Sequence, residues 1–143
     1  MATKILFLCV HNSARSQMAK AYLKEFGGNL YDVESAGLEP GILNPLAVKV
    51  MLEEGIDISK NKTNDVFEFY KEGKLFEYIF TVCDKVAAER CPIFPGVTKV
   101  INWSFEDPSK VTGTEEEKLE KVRLIRDQIK NAVSTFVEQN KTA

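Results

Sequence analysis

The sequence predicts an α/β sandwich built on a mostly parallel sheet. Short apolar runs rich in β-branched and aromatic residues alternate with segments of helical periodicity. The first predicted strand, residues 4–8, is apolar at successive positions from residue 5 to residue 8, as expected of a parallel strand covered on both faces. The chain has 143 residues, 44% of them hydrophobic, which suits a single domain over residues 1–143 with a core of ordinary size.

In the first half of the chain, the spacing of apolar residues and the positions of glycines predict the secondary structure. A helix is predicted over residues 16–26, where apolar side chains recur on one face until Gly27-Gly28 ends it. Residues 31–35 are predicted as a second strand, and residues 37–41 as a turn.

Turn and cap residues mark the elements that follow. A second helix begins at Asn44-Pro45, with Asn as the cap and Pro at the first position, and ends at Gly55. Residues 64–71 are predicted as a short helix.

The second half contains two more strands. Residues 78–82 and 98–103 are predicted as strands, whereas residues 84–90 suit either a turn or two of helix or a loop. Thr114 opens the last helix and is followed three positions later by Glu117, a capping-box pattern.

The most informative segment lies between the first strand and the first helix. Five residues between Cys9 and Arg15 are enough to wrap backbone N–H groups around a tetrahedral oxyanion, and the helix N-terminus adds its dipole. Arg15 offers a planar two-pronged donor, and the same positive field favours the thiolate of Cys9. We therefore predict a nucleophile beside an oxyanion site. The residues of that site are Val10, His11, Asn12, Ser13, Ala14 and Arg15.

Two further cysteines extend this chemistry. Cys83 ends the third strand, and Cys91 precedes a proline in a breaker-rich segment. If the first and third strands are parallel neighbours, Cys9 and Cys83 lie on the same rim of the sheet. An odd cysteine count indicates catalytic or redox use, although both downstream residues could be ordinary buried thiols. No pair has metal-ligand spacing, so we predict no metal and no cofactor.

Two residues near the loop admit two interpretations each. His11, the single histidine, could act as a general base, but we expect its side chain to face solvent because loop amides face the ligand. Asp107 precedes Pro108 and could be a turn carboxylate or a general acid.

Composition excludes several classes of partner. The net charge of -2 gives no footprint for nucleic acid, and no apolar run is long enough to cross a membrane. The N-terminus runs directly into a strand without a signal peptide, so we expect a cytoplasmic protein. We also expect a monomer.

Together these residues resemble the arsenate reductases built on the low-molecular-weight protein tyrosine phosphatase fold. The likeness covers nearly the whole chain, in residues 9–19, Ser35-Ala36-Gly37, Thr81-Val82-Cys83-Asp84, Arg90-Cys91-Pro92 and Asp107-Pro108. It implies a three-layer sandwich with a central four-stranded parallel sheet. The two downstream cysteines separate reductases from phosphatases, which share the Cys-x5-Arg loop.

The resemblance also implies a role for each site residue. Cys9 attacks arsenate, Arg15 and the loop amides hold the oxyanion, and Asn12 holds the loop in shape. Ser16 donates to the Cys9 thiolate, and Asp107 protonates the departing oxygen.

A thiol relay follows in the implied mechanism. Cys83 attacks the Cys9 sulfur and releases arsenite, and Cys91 then attacks Cys83. Thioredoxin or a similar thiol donor reduces the resulting Cys83–Cys91 disulfide.

The sequence departs from the family at two points. Some members bind potassium through an acidic residue where this chain has Lys20, so we expect that site to be absent or altered. Seven residues separate Cys83 from Cys91, one more than in well-known thioredoxin-linked members.

Two other functions remain open at this point. A tyrosine phosphatase would work through a cysteinyl-phosphate on Cys9. Its substrate-gripping aromatics after Asp-Pro are replaced here by Ser109-Lys110. A non-catalytic oxyanion-binding or phosphocarrier module would not need three thiols.

Overall fold

The computed structural model describes residues 2–96 and 99–140. The described strands form a four-stranded sheet of order β2-β1-β3-β4 in which all neighbours are parallel, as predicted. The strands are β1 (Thr3–Cys9), β2 (Tyr31–Gly37), β3 (Tyr78–Thr81) and β4 (Lys99–Asn102). The helices are α1 (Arg15–Gly27), α2 (Pro45–Leu52), α3 (Val66–Lys71), α4 (Lys85–Ala88) and α5 (Glu115–Asn140), with 3-10 turns at Gly28–Leu30 and Pro108–Lys110.

Alternate side chains of β1 point into two separate cores. Ile5 and Phe7 pack in the larger core, which receives apolar side chains from α1, α2 and α5. Leu6 and Leu8 pack in the smaller core, which is closed by α3. Because both faces of the strand are covered, the fold is the expected three-layer sandwich.

Two predicted caps are confirmed by their hydrogen bonds. The Asn44 side chain accepts from the backbone N–H of Leu46 at 2.8 Å, with Pro45 as the first helical residue. Thr114 and Glu117 form a reciprocal capping box, in which each backbone N–H donates to the other side chain at 3.1 and 3.2 Å.

Several boundaries differ from the prediction. β2 continues two residues beyond residue 35, because Ala36 and Gly37 pair with Leu8 and Cys9. α2 ends at Leu52, and Gly55 lies in the following turn with φ of +77°.

Later elements also end early. β3 stops at Thr81 instead of residue 82, and β4 stops at Asn102 instead of residue 103. The predicted first residue of the fourth strand, Thr98, lies outside the described residues. Within residues 2–96 and 99–140, no helix combines the length and apolar character needed to cross a membrane.

Candidate active site

The Cys9 sulfur lies at the carboxyl end of β1 and is almost completely buried. It is approached by two groups of the loop that follows. The backbone N–H of Asn12 donates to Sγ at 3.1 Å, and the Ser16 hydroxyl lies 2.9 Å from it. Both groups are placed to donate a hydrogen bond to the sulfur.

Residues 38–44, which we call the strap, run along the outside of the loop. Four of their backbone N–H groups donate to loop carbonyls and are therefore not available to a ligand. The bonds are Leu38 to Cys9 at 3.1 Å, Glu39 to Val10 at 2.7 Å, Gly41 to His11 at 3.0 Å and Asn44 to Ser13 at 2.9 Å. The strap thus occupies the loop carbonyls, while the Asn12 N–H points to the Cys9 sulfur, an arrangement that suits an oxyanion site.

The N-terminus of α1 adds to this positive field. Its N-cap residue, Ala14, makes no side-chain capping bond, so the first N–H groups of the helix remain available to an anion. The structure thus places the predicted oxyanion residues in one loop around Cys9.

Gly37 allows the strap and the loop to approach each other. A Cβ atom at this position would lie 2.8 Å from backbone atoms of Val10, His11 and Asn12. Backbone atoms cannot move aside as a flexible side chain can, so any larger residue would displace the loop. Gly37 therefore acts on the site without touching the oxyanion.

Asn12 holds the loop from within. It is fully buried with φ of 54°, a left-handed conformation that Asn tolerates better than most residues. Its Oδ1 accepts from the Asn64 backbone N–H at 2.8 Å, and its Nδ2 donates to Ser16 Oγ at 2.7 Å. Asn12 thus holds the loop in shape, as expected, and is itself fixed by the backbone of Asn64, in the segment before α3.

Sequence reasoning missed Gln17 as a support for the loop. Its Nε2 donates to the Asn12 carbonyl at 3.1 Å and to the Lys62 carbonyl at 3.0 Å, while its Oε1 accepts from Asn61 at 3.1 Å. The available signal was a Gln directly after the Cys-x5-Arg-Ser segment, but its burial and its distant partners are seen only in the folded chain.

Arg15 is held at the edge of the site by two acceptors. Its Nη1 donates to the Phe105 carbonyl at 3.2 Å, and its Nη2 lies 3.5 Å from Asp107 Oδ2. The guanidinium is nearly buried, so its charge is poorly screened by water. The loop and the Asp107-Pro108 segment therefore meet at Arg15.

Burial alone would raise the pKa of Asp107, but hydrogen bonds and charge outweigh it. The backbone N–H and hydroxyl of Ser109 donate to Oδ1 at 2.9 and 2.8 Å, and Arg15 adds its positive charge. The net result is a pKa below the usual value for Asp. With Arg15 paired to it, Asp107 is a carboxylate, and an acid role requires an anion to draw Arg15 away.

Cys83 joins Cys9 at the same rim, as expected from parallel neighbouring strands. β1 pairs with β3 from Ile5↔Tyr78 to Leu8↔Thr81, and Val82 N–H extends the ladder to the Leu8 carbonyl at 2.8 Å. Burial raises the pKa of the Cys83 thiol to about 11, and the negative charge of Cys9 adds to the shift.

Cys91 is half-buried and electrostatically coupled to Cys83. Burial raises its pKa to about 11, and the charge of Cys83 contributes further. The charge of Cys9 thus contributes to the raised pKa of Cys83, and the charge of Cys83 contributes to the raised pKa of Cys91.

His11 points away from the oxyanion side, in agreement with the expectation. Its ring is exposed, and Nδ1 lies 2.9 Å from the Glu39 carbonyl in the strap. This position does not favour a general-base role.

The position of Lys20 does not favour a cation. Its pKa is lowered, first by burial and then by Lys24, while Glu34 opposes the shift. Among the described residues, no group of three or more His, Cys, Asp or Glu side chains is arranged to hold a metal ion.

Comparisons with known proteins agree with this geometry. The low molecular weight phosphotyrosine protein phosphatase family matches residues 4–142. An arsenate reductase of Bacillus subtilis is 43% identical over 142 residues, which cover 99% of this chain and 100% of the relative. A solved arsenate reductase in the oxidised state superposes with a TM-score of 0.80 at 28% identity, covering 96% of this chain and 98% of the other. A solved arsenate reductase in the phosphate-binding state superposes with a TM-score of 0.74 at 29% identity, again covering 96% of this chain and 98% of the other.

Proposed function

The chain belongs to the low molecular weight phosphotyrosine protein phosphatase family, and within that family we propose that it is an arsenate reductase with a three-thiol relay. The observation that carries the proposal is the burial of Cys83 beside Cys9 on the rim formed by β1 and β3. A phosphatase resolves its intermediate with water and needs no second thiol there.

In the first step the Cys9 thiolate attacks arsenic. A sulfur–arsenic bond forms, and an As–OH group takes a proton from Asp107 and departs as water. Arsenic remains pentavalent. Arg15 and the loop N–H groups hold the remaining oxygens, and the dianion competes with Asp107 for Arg15, which favours protonation of Asp107.

In the second step the Cys83 thiolate attacks the Cys9 sulfur. A disulfide forms, and the electron pair of the sulfur–arsenic bond passes to arsenic, which leaves as trivalent arsenite. The position of Cys83 beside Cys9 on the same rim of the sheet supports this order of attack.

In the third step the Cys91 thiolate attacks Cys83 and expels Cys9 as a thiolate. The Cys83–Cys91 disulfide then takes two electrons from a dithiol donor such as thioredoxin, which becomes a disulfide itself. Cys91 is less buried than Cys83, which supports its place nearer the donor. The seven-residue spacing fits this role if the intervening segment can open.

The need for reduced thiols also bears on the cellular compartment of the protein. A relay that starts from three free thiols needs a reducing compartment, which supports the cytoplasm. The site is complete within one chain, which supports a monomer.

The experiment that tests the function is arsenate turnover with thioredoxin, its reductase and NADPH, followed by loss of NADPH absorbance. Cys9→Ser abolishes turnover because a hydroxyl ionises far less than a thiol. Lys49→Gln, which changes an exposed residue outside the site, is the control with full activity. Undiminished turnover by Cys9→Ser contradicts the proposal.

A further inference from the structure

Residues 84–91, which we call the redox segment, are held in a helical arrangement by backbone bonds. Ala88 donates to the Asp84 carbonyl at 3.0 Å, and Cys91 donates to the Ala88 carbonyl at 3.2 Å. The Asp84 side chain caps the first turn by accepting from Ala87 at 2.8 Å. The helix itself, α4, is a single turn over Lys85–Ala88, and Cys83 and Cys91 lie outside it as free thiols. The segment must therefore rearrange before a disulfide, with its fixed geometry, joins the two sulfurs.

The residue before the redox segment is anchored to the sheet. Asn102 Nδ2 lies 3.2 Å from the Cys83 carbonyl and also donates to the Thr81 carbonyl and hydroxyl at 3.1 and 2.8 Å. The Cys83 backbone is therefore held at the end of β4, so a movement of the redox segment would begin after Cys83.

The far end of the redox segment is held by an ion pair. Arg90 Nη2 lies 2.7 Å from Glu39 Oε2. Glu39 belongs to the strap: its backbone N–H donates to Val10, and its carbonyl accepts the His11 ring. One residue thus joins the outside of the oxyanion loop to the neighbour of Cys91.

We propose that Glu39 and Arg90 form a latch that keeps the redox segment closed and sets the rate at which Cys91 takes the disulfide from Cys9. This inference rests on the proposed thiol relay. The Cys91 thiol loses its proton to solvent, its sulfur bonds to Cys83, and Cys9 leaves as a thiolate. Neither latch residue touches substrate or a reacting atom, so both are positioning residues.

Release of the latch makes opening more frequent. Both side chains are about half exposed, and exposed ion pairs of this kind change an equilibrium by about two- to five-fold. Arg90→Gln and Glu39→Gln each accelerate the third step by that factor. The double variant gains no more than either single variant, because both remove the same contact.

The first measurement uses the reduced protein without arsenate. Amide hydrogen exchange over residues 86–91 quickens about two- to five-fold in Arg90→Gln, and raised ionic strength quickens it in the wild type but not in the variant. Lys49→Gln, which removes a similarly exposed pair with Glu115 at 3.0 Å, is the matched control and leaves exchange unchanged.

The second measurement follows the disulfides. Arsenate is mixed with reduced protein in the absence of donor, the reaction is quenched in acid, and peptide masses distinguish Cys9–Cys83 from Cys83–Cys91. The charge-exchanged variant Glu39→Arg/Arg90→Glu returns toward the wild-type rate.

The two measurements separate the latch from the proposed function. Exchange and relay rates equal to wild type in Arg90→Gln overturn the latch. Wild-type protein that leaves arsenate unreduced overturns the function, whereas exchange in the reduced form still decides whether Glu39 and Arg90 hold the segment closed.

Discussion

The Asn12 side-chain amide donates to Ser16 Oγ at 2.7 Å, so the proton of the Ser16 hydroxyl remains free for another acceptor. The Cys9 sulfur, 2.9 Å away, is that acceptor. Since Asn64 and Gln17 fix the Asn12 amide, the direction of the Ser16 hydroxyl is set by residues far from the oxyanion. The direction of the hydroxyl beside the Cys9 sulfur thus depends on the side chains of Gln17 and Asn12.

Ser16→Ala removes the hydroxyl that lies 2.9 Å from the Cys9 sulfur. Hydrogen bonds to charged groups contribute about 1.5–3 kcal/mol, so alkylation of Cys9 by iodoacetamide at neutral pH slows by about tenfold or more. Ser104→Ala, on an exposed serine after β4, is the control. An unchanged alkylation rate in Ser16→Ala would exclude this role.

Cys91→Ser stops the relay after its second step. We expect one arsenite released per protein molecule and a Cys9–Cys83 disulfide, because only the last exchange needs the third thiol. Mass spectrometry of arsenate-treated protein measures both. Sustained thioredoxin-linked turnover by this variant would show that Cys91 is dispensable.

Asp107→Asn slows hydrolysis of a small aryl phosphate, a weak side activity expected because phosphate and arsenate share shape and charge. The loss is on the order of 100-fold, the usual contribution of a general acid. Cys83→Ser retains the activity, since water replaces the second thiol. Equal rates for Asp107→Asn and wild type would remove Asp107 from the mechanism.

Arsenite release depends steeply on pH. Burial and the charge of Cys9 raise the pKa of Cys83 to about 11, so at neutral pH few molecules carry the attacking thiolate. The rate of the second step therefore rises about tenfold per pH unit and levels off near pH 11. Rapid quenching of Cys91→Ser isolates this step. A flat profile through the neutral and mildly alkaline range would mean that Cys83 is activated by a group not identified here.

We expect oxidation to the Cys83–Cys91 disulfide to open the redox segment. The two cysteines are free thiols in the reduced arrangement, so joining them should break backbone bonds of the turn between them and lower exchange protection over residues 86–90. Hydrogen exchange on the two authenticated redox forms measures it. Equal protection in both forms would rule out the opening.

Helix caps could be predicted from the sequence because the residues that form them are close together in the chain. The Asn44 cap and the Thr114–Glu117 box are formed by neighbours in sequence, and both are present. The extension of β2 was missed because Ala36 and Gly37 gain their strand conformation from pairing with β1. A residue pattern cannot reveal a partner about 30 positions away.

The site follows the same division. The Cys9 to Ser16 segment carries its own chemistry, and the common rim of Cys9 and Cys83 followed from strand parallelism. Gln17 and Glu39 were not predicted, because their roles depend on partners at Lys62 and Arg90 that only the folded chain supplies.

Because β1 pairs with β3, the order in which the disulfides form would show whether the sheet is folded when they form. Cys83 and Cys91 are neighbours along the chain, whereas Cys9 and Cys83 are separated by about 70 positions. In a disordered chain, loop closure favours the short link by roughly 2 kcal/mol, so random oxidation joins Cys83 to Cys91 first. Only the parallel register of the two strands brings the distant pair together. If the first disulfide trapped after arsenate treatment joins Cys9 to Cys83, the sheet was therefore folded when arsenite was released.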